Sequence, residues 1–323
     1  MNKTDPQKIE GNFKRKDILS LDQFSPKDIE LLFSHVPVMK DICINAKPSD
    51  ILKGNVVALL FFEPSSRTFS SFSASIKQLG GQTIEYQNIH DVSSVSKGET
   101  LEDTIRVFEA YTDAIVMRSN QKGMLQQAAD AAKLLPIINA GDGNGEHPTQ
   151  TLLDLYTLQE KFGRLDNITG VLVGDVLNSR TMHSLIRGLS LFPNNKVYLL
   201  SPEELKLSKE DATILKNKSI EIIEIENETQ IPKDASFWYW TRVQKERFAS
   251  EQAYETLKHR FVLTPQLLKQ YGNNDMIIMD PLPRVQTIDT AIDADPRAVY
   301  LTSQIRNGLY VRMALMGLVL GRM

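Results

Sequence analysis

Four consecutive residues, Ser65-Ser66-Arg67-Thr68, offer three hydroxyls and a guanidinium. At the start of a helix such a group binds phosphate. The side chains donate hydrogen bonds, the first-turn amides do the same, and the positive end of the helix dipole favours the anion. An ordinary capped helix, with Ser65 or Ser66 as the cap, accounts for these residues equally well. His147 closes a glycine-rich stretch and is followed by Pro148 and Gln150. The start of a helix disfavours the imidazolium, so a neutral ring donating a hydrogen bond is the role that fits there. Arg67, Arg118, Arg180 and Arg242 each follow a short apolar run, more cations in that setting than solubility requires. Pro281-Leu282-Pro283 reads as a stiff turn that presents carbonyl oxygens, or as a plain rigid connector. Either X–Pro bond in it is a candidate for the cis form. Lys97, in the polar stretch 93–100, either closes over an anion or is a solvated surface charge.

The apolar runs are what must hold these residues in place. Residues 55–62, 114–118, 136–141, 170–175, 196–201, 237–242 and 276–281 read as buried strands. Segments of helical period at 68–79, 101–111, 151–162 and 181–191 alternate with them. Such alternation predicts parallel sheets with helices on both faces. Seven or more strands over 323 residues predict two sheets, one per domain. The fold class is therefore α/β: two doubly wound domains with mostly parallel sheets, and an apolar C-terminal helix returning to the N-terminal domain. The expected division is 1–147 plus 306–323 for one domain and 148–305 for the other, with the boundary near the loop 141–148. In open parallel sheets ligands bind beyond the carboxyl ends of the strands, which is where the residues above fall.

Composition narrows the classes further. The formal net charge is −3, which argues against a nucleic-acid surface. Cys43 is the single cysteine, so neither a disulfide framework nor a thiolate metal site is available, and a half-buried structural role is expected for it. No apolar run reaches the roughly 18 residues of a membrane span. The polar opening lacks a signal-peptide core. A cytoplasmic protein with a loosely ordered tail of about a dozen residues is expected. Val173-Gly174-Asp175 lacks the remaining glycines of a dinucleotide fingerprint, and that reading is rejected. His35, His90, His183 and His259 have no setting that suggests chemistry.

Taken together, FFEPSSRT, SKGETLEDT, DAIVMR, NAGDGNGEHPTQTLLDLYTLQE, GDVLNSRTMHSL, TRVQKERF and DPLPRV make the chain resemble the aspartate carbamoyltransferases from about residue 17 to its end. The resemblance implies transfer of the carbamoyl group of carbamoyl phosphate to the amine of L-aspartate through a tetrahedral intermediate, a step of pyrimidine biosynthesis. It implies that Ser65, Ser66, Arg67 and Thr68 hold the phosphate, and that Arg118, His147 and Thr68 stabilise the oxyanion. Gln150 and the carbonyls of Pro281, Leu282 and Pro283 would take the carbamoyl nitrogen. Arg180 and Arg242 would take the carboxylates of aspartate, with Gln244 helping. Ser93 and Lys97 would come from a neighbouring subunit, which implies a homotrimer with shared active sites. Carbamoyl phosphate would bind first, then aspartate, and the domains would close. No metal or organic cofactor is implied, and regulatory chains are left open.

Three positions depart from the family pattern. Ser66 stands in place of the usual threonine, Phe69 in place of a frequent arginine, and Asp280 in place of the histidine common before Pro-Leu-Pro. The last puts a carboxylate close to an expected anion site. Two rivals are weaker. An ornithine enzyme would want an acidic or polar partner where Arg242 stands. A catalytically silent relative would have lost Arg67, Lys97, Arg118 or His147, and all four are present.

Overall fold

The computed structural model describes residues 7–89, 98–143, 145–216, 218–243, 252, 255 and 260–323. Two compact units make up the chain: Met1–Tyr156 with Asn307–Met323, and Thr157–Arg306.

The first unit begins with helix α1 (Pro26–Ile44). Ser25 and Asp28 cap it reciprocally, and Pro26 occupies its first turn. Strand β1 (Val56–Phe61) follows, then α2 (Ser66–Gln78), β2 (Gln82–Gln87), α3 (Leu101–Glu109), β3 (Ala114–Ser119), α4 (Met124–Ala131) and β4 (Ile137–Asp142). All pairings are parallel, in the order β2-β1-β3-β4. Residues 57–61 of β1 and all of β3 are buried, as expected of parallel strands covered on both faces. Ala58, Leu60, Ile115, Met117 and Ile137 pack with Leu125 and Ala128 of α4 on one side.

Helix α5 (Pro148–Phe162) carries the division between the units, its residues to Tyr156 belonging to the first. Tyr156 packs edge-on against Phe33 of α1, ring centroids 5.1 Å apart.

The second unit contains β5 (Thr169–Val173), α6 (Arg180–Leu189), β6 (Lys196–Leu200), α7 (Lys209–Lys216), β7 (Glu221–Ile225), β8 (Phe237–Trp240), α8 (Pro265–Tyr271) and β9 (Ile277–Met279). Its sheet is also parallel, ordered β7-β6-β5-β8-β9. Val171, Val173, Trp238, Trp240 and Ile278 form the centre of its core. Helix α9 (Ser303–Val319) closes the chain, and from Asn307 onward it belongs to the first unit. The C-terminal segment is tied there by Arg322 Nε, which donates to Asn55 Oδ1 at 2.8 Å, and by the Arg15 amide on the Val319 carbonyl at 2.8 Å.

Each sheet has one place where the strand order reverses, β1/β3 in the first and β5/β8 in the second. Doubly wound sheets bind ligands in the crevice that such a reversal opens at the carboxyl edge.

The seven apolar runs are all strands, and the described residues hold nine, within the expected seven or more. QTIEYQ (β2) and EIIEI (β7) are edge strands whose exposed positions carry polar residues, so neither reads as an apolar run. The opening is more ordered than a loose tail from residue 7 onward. Ile9 and Phe13 are buried, the Ile9 amide donates to the Gln23 carbonyl at 2.9 Å, and the Gly11 amide donates to Asp28 Oδ1 at 2.6 Å. Two apolar side chains among many polar ones suffice to pin the segment.

Candidate active site

At the β1/β3 reversal the chain leaves β1 through Phe62 and Glu63 and turns into α2. Ser65 is the N-cap, with extended backbone, but its hydroxyl makes no capping bond. The capped-helix reading is therefore correct in position and does not use the hydroxyl. Ser66 and Arg67 are exposed and Ser65 is half-buried, while Thr68 is buried. The first-turn amides of any helix lie outside its own ladder, so this start presents backbone and side-chain donors together. Phe69 is half-buried and packs edge-on against Phe61, ring centroids 5.1 Å apart.

Arg118, the penultimate residue of β3 next door, is 8% exposed. Its Nε donates to Glu63 Oε2 at 3.1 Å, Nη2 forms an ion pair with the same oxygen at 3.0 Å, and Nη1 donates to the Ala140 carbonyl at 3.3 Å. Burial lowers its pKa and the Glu63 carboxylate opposes the shift. An arginine so placed stays cationic near neutral pH. The guanidinium lies against the backbone at Gly141, where φ is +128° and a Cβ would come 3.0 Å from Nη1. Only glycine combines that conformation with that clearance.

His147 is 4% exposed and immediately precedes α5. Its Nε2 lies 3.5 Å from Thr68 Oγ1, the long limit of a hydrogen bond. The segment before it is braced largely by residues 19–21. Asn139 Nδ2 donates to the Leu19 carbonyl at 2.8 Å, its Oδ1 accepts the Gly141 amide at 2.7 Å, and the Glu146 carboxylate accepts from Ser20 Oγ at 2.7 Å and the Leu21 amide at 2.9 Å. Gln150 is half-buried and its Nε2 donates to Asp154 Oδ1 at 3.1 Å. The first unit thus brings Thr68 to His147, and Arg118 to Glu63.

The second unit repeats the arrangement at β5/β8. Gly174 follows β5 with φ +122°, and a Cβ on it would meet the Thr241 carbonyl at 2.2 Å. Asp175, fully buried, accepts from the amide and the Nδ2 of Asn178, both at 3.0 Å. Ser179 caps α6, whose first residue is Arg180. His183, one turn further, donates from Nε2 to the Val176 carbonyl at 2.7 Å, a structural use. Arg242 follows Thr241, whose amide donates to the Val173 carbonyl at 2.9 Å. Arg180 and Arg242 are both half-buried and follow neighbouring strands at the same edge of one sheet. Beyond β9, Asp280 is buried; its amide donates to Gln304 Oε1 at 3.1 Å and its Oδ1 accepts the Leu282 amide. Leu282 has φ +59° and its bond to Pro283 is cis. Ser93, Lys97 and Gln244 lie outside the described residues.

Glu63, Asn139 and Glu146 were not singled out in the sequence. Glu63 lies inside FFEPSSRT, and a lone acid among donors marks a partner for one of the arginines. Nothing local to Asn139 or Glu146 announces contacts with residues 19–21, which are more than a hundred positions away. Cys43 is half-buried, with Sγ 3.4 Å from Met313 Sδ. Among the described residues no helix is long and apolar enough to cross a membrane. Chemically, the first edge suits a phosphate beside a carbonyl whose oxygen gains negative charge, and the second suits carboxylates.

Residues 16–160 match the family model "Aspartate/ornithine carbamoyltransferase, carbamoyl-P binding domain", and residues 166–319 match "Aspartate/ornithine carbamoyltransferase, Asp/Orn binding domain". The chain is 44% identical over 306 residues to the multifunctional protein pyr1-3 of Dictyostelium discoideum, a match covering 95% of this chain and only 14% of that protein's length. It is 42% identical to the chloroplastic aspartate carbamoyltransferase of Arabidopsis thaliana, covering 95% of this chain and 78% of the relative. Among solved structures, aspartate transcarbamoylase from Trypanosoma cruzi in complex with carbamoyl phosphate and aspartate superposes with a TM-score of 0.88 at 36% identity, covering 98% of this chain and 100% of that one.

Proposed function

The chain belongs to the aspartate/ornithine carbamoyltransferase family, and on that premise we propose that it transfers the carbamoyl group of carbamoyl phosphate to L-aspartate, giving N-carbamoyl-L-aspartate and phosphate. The observation that carries this reading is a pair of cationic strand ends, one at each sheet's reversal. Arg118 is buried beside the start of α2 in the first, and Arg180 and Arg242 follow β5 and β8 in the second.

The first unit takes carbamoyl phosphate. Ser65, Ser66, Arg67 and Thr68 hold the phosphate at the start of α2. Arg118, His147 and Thr68 donate to the carbonyl oxygen and stabilise the oxyanion that forms on attack. Gln150 and the carbonyls of the turn 281–283 take the carbamoyl nitrogen. Arg180 and Arg242 bind the carboxylates of aspartate in the second unit, with Gln244 assisting. The aspartate amine, as the free base, forms the new N–C bond; the C–O bond to phosphate breaks, and the departing phosphate takes the amine's proton. No side chain is needed as general base, and orientation with preorganised donors supplies the acceleration.

An aspartate acceptor is favoured over ornithine by charge. Two guanidiniums suit a second carboxylate and would repel the ammonium of ornithine, which would want an acidic or polar partner where Arg242 stands. The working form is a homotrimer in which Ser93 and Lys97 of one subunit complete the site of the next. The reaction serves pyrimidine biosynthesis in the cytoplasm, a compartment that suits a chain with one free cysteine.

The test is a colorimetric assay for the carbamoylated product, with carbamoyl phosphate and either L-aspartate or L-ornithine. Product with aspartate alone is expected. Product with ornithine alone would overturn the acceptor assignment, and a folded protein giving neither would overturn the reaction.

A further inference from the structure

Arg312, on helix α9, is only 4% exposed and far along the chain from every residue given a role above. Its Nη1 donates to Ser71 Oγ at 3.0 Å and to the Gly308 carbonyl at 3.3 Å, and its Nη2 donates to Thr149 Oγ1 at 3.4 Å. The guanidinium also stands over the Phe72 ring, 5.2 Å from the centroid. Ser71 and Phe72 belong to α2, the helix that starts at the phosphate-binding residues. Thr149 is in the first turn of α5, two residues after His147. Asp154, also on α5 and fully buried, is the opposing charge, and it accepts the hydrogen bond from Gln150.

We propose that Arg312 is a positioning residue: its planar fork fixes the start of α2 relative to the start of α5, and so the spacing of Thr68 from His147. The inference rests on the carbamoyl-phosphate reading of that site.

Burial pulls the Arg312 pKa down to about 10, with Asp154 opposing, so the group is still a cation at neutral pH. Burying a charge is costly, and a well-packed apolar side chain of similar volume often serves stability as well or better. What an apolar side chain lacks is direction. Five fixed donors in one plane tie two helices at set angles, and a lysine ammonium on a flexible stem does so less well. The helix is shaped to bring the fork here. Gly308 lies one turn before Arg312, and a Cβ on it would come 3.0 Å from Arg312 Nη1 and 3.1 Å from Leu153 Cδ2 of α5. The Thr68–His147 pair, at 3.5 Å, is already at the edge of hydrogen-bond range, so a small slip between α2 and α5 would open it.

The test uses the full chain with Arg312→Met, which keeps bulk and loses charge and fork, Arg312→Lys, which keeps charge, and Ser71→Ala, which removes the α2 partner. The readouts are kcat, KM for each substrate, the Kd of inorganic phosphate by calorimetry, and Tm. For Arg312→Met, kcat should fall on the order of a hundredfold, the effect of about 1 Å of misplacement. Phosphate Kd and the KM for carbamoyl phosphate should rise about tenfold while the KM for aspartate moves less than about twofold. Arg312→Lys should recover part of the loss. A folded Arg312→Met with wild-type phosphate affinity and kcat overturns the proposal, and so does equal damage to both substrates, the mark of general loosening. Should Arg312→Met fail to fold, unchanged kcat and phosphate Kd in Ser71→Ala and Arg312→Lys overturn it. A wild-type protein that neither binds phosphate nor turns over sinks the site reading and takes this inference with it, whereas an active wild type with indifferent variants sinks the inference alone.

Discussion

Arg118 and Arg242 are both arginines at strand ends, yet their surroundings predict different failures. Arg118 is 8% exposed, held by Glu63 and the Ala140 carbonyl, and its guanidinium cannot swing without losing both. A donor held that firmly costs no reorganisation when charge develops on the carbonyl oxygen. Arg118→Ala should lower kcat by at least about a hundredfold, the scale of one lost oxyanion donor; turnover near that of the wild type would refute the role. Arg242 is half-buried and belongs to the second unit, where no phosphate-binding group is proposed. Arg242→Ala should raise the KM for aspartate by about a hundredfold, as expected when a charge-assisted bidentate pair is lost. The Kd of phosphate should stay put, and parallel weakening of both ligands would count against the assignment. Asp280 is the residue at which the family pattern and this chain part. Its carboxylate accepts the Leu282 amide, so it works within its own turn to hold Leu282 at φ +59°. That use makes the missing histidine compatible with a turn that acts through its carbonyls.

At the scale of elements, the close approach of the ends of β5 and β8 constrains the second unit. A Cβ at Gly174 would sit 2.2 Å from the Thr241 carbonyl, and the residue's φ of +122° is one that side chains avoid. Gly174→Ala should therefore destabilise the protein by at least about 2 kcal/mol, the range of overpacked cores, in denaturant titrations; a loss below about 0.5 kcal/mol would mean the two strand ends separate freely. Helix α6 adds a pH-dependent contribution. Burial holds His183 below its usual value of 6.5 and Arg187 adds to that, while Asp211, the Val176 carbonyl and Asp175 oppose. The unfolded chain then takes up the proton first. Stability from His183 is complete above pH 6.5 and is lost as pH falls through the lowered folded value. The wild type should lose Tm more steeply over that window than His183→Gln, and parallel Tm–pH curves would remove His183 as the cause. How much of this was legible depended on the kind of element. Central strands such as VVALLF are buried on both faces and declare themselves by composition, and the strand-end arginines follow by position. The edge strands β2 and β7 did not, because half of each faces water. Nor did Glu146, whose partners Ser20 and Leu21 are set by folding alone, or Arg312, which looks like one more basic residue in an apolar helix.

For the molecule as a whole, the number of chains in the working form is the property with the most consequence. If Lys97 and Ser93 complete the site of a neighbouring copy, a single chain carries the phosphate- and oxyanion-binding groups around α2, β3 and the start of α5 and still lacks one anion-closing cation. Affinity for phosphate would then depend on assembly, and activity would follow mass action. Sedimentation at assay concentration should show a particle of three times 36.5 kDa. Specific activity should fall on dilution together with the appearance of lighter species, and carbamoyl phosphate, which binds across the contact on this reading, should oppose the fall. Lys97→Ala should reduce kcat without altering the sedimenting mass, because a charge that closes over the anion need not hold the copies together. A 36.5 kDa particle with undiminished turnover would show instead that each chain is self-sufficient. In that case Lys97 would revert to the other role its sequence allows, a solvated surface charge, and the anion would be neutralised by Arg67, Arg118 and the start of α2 alone.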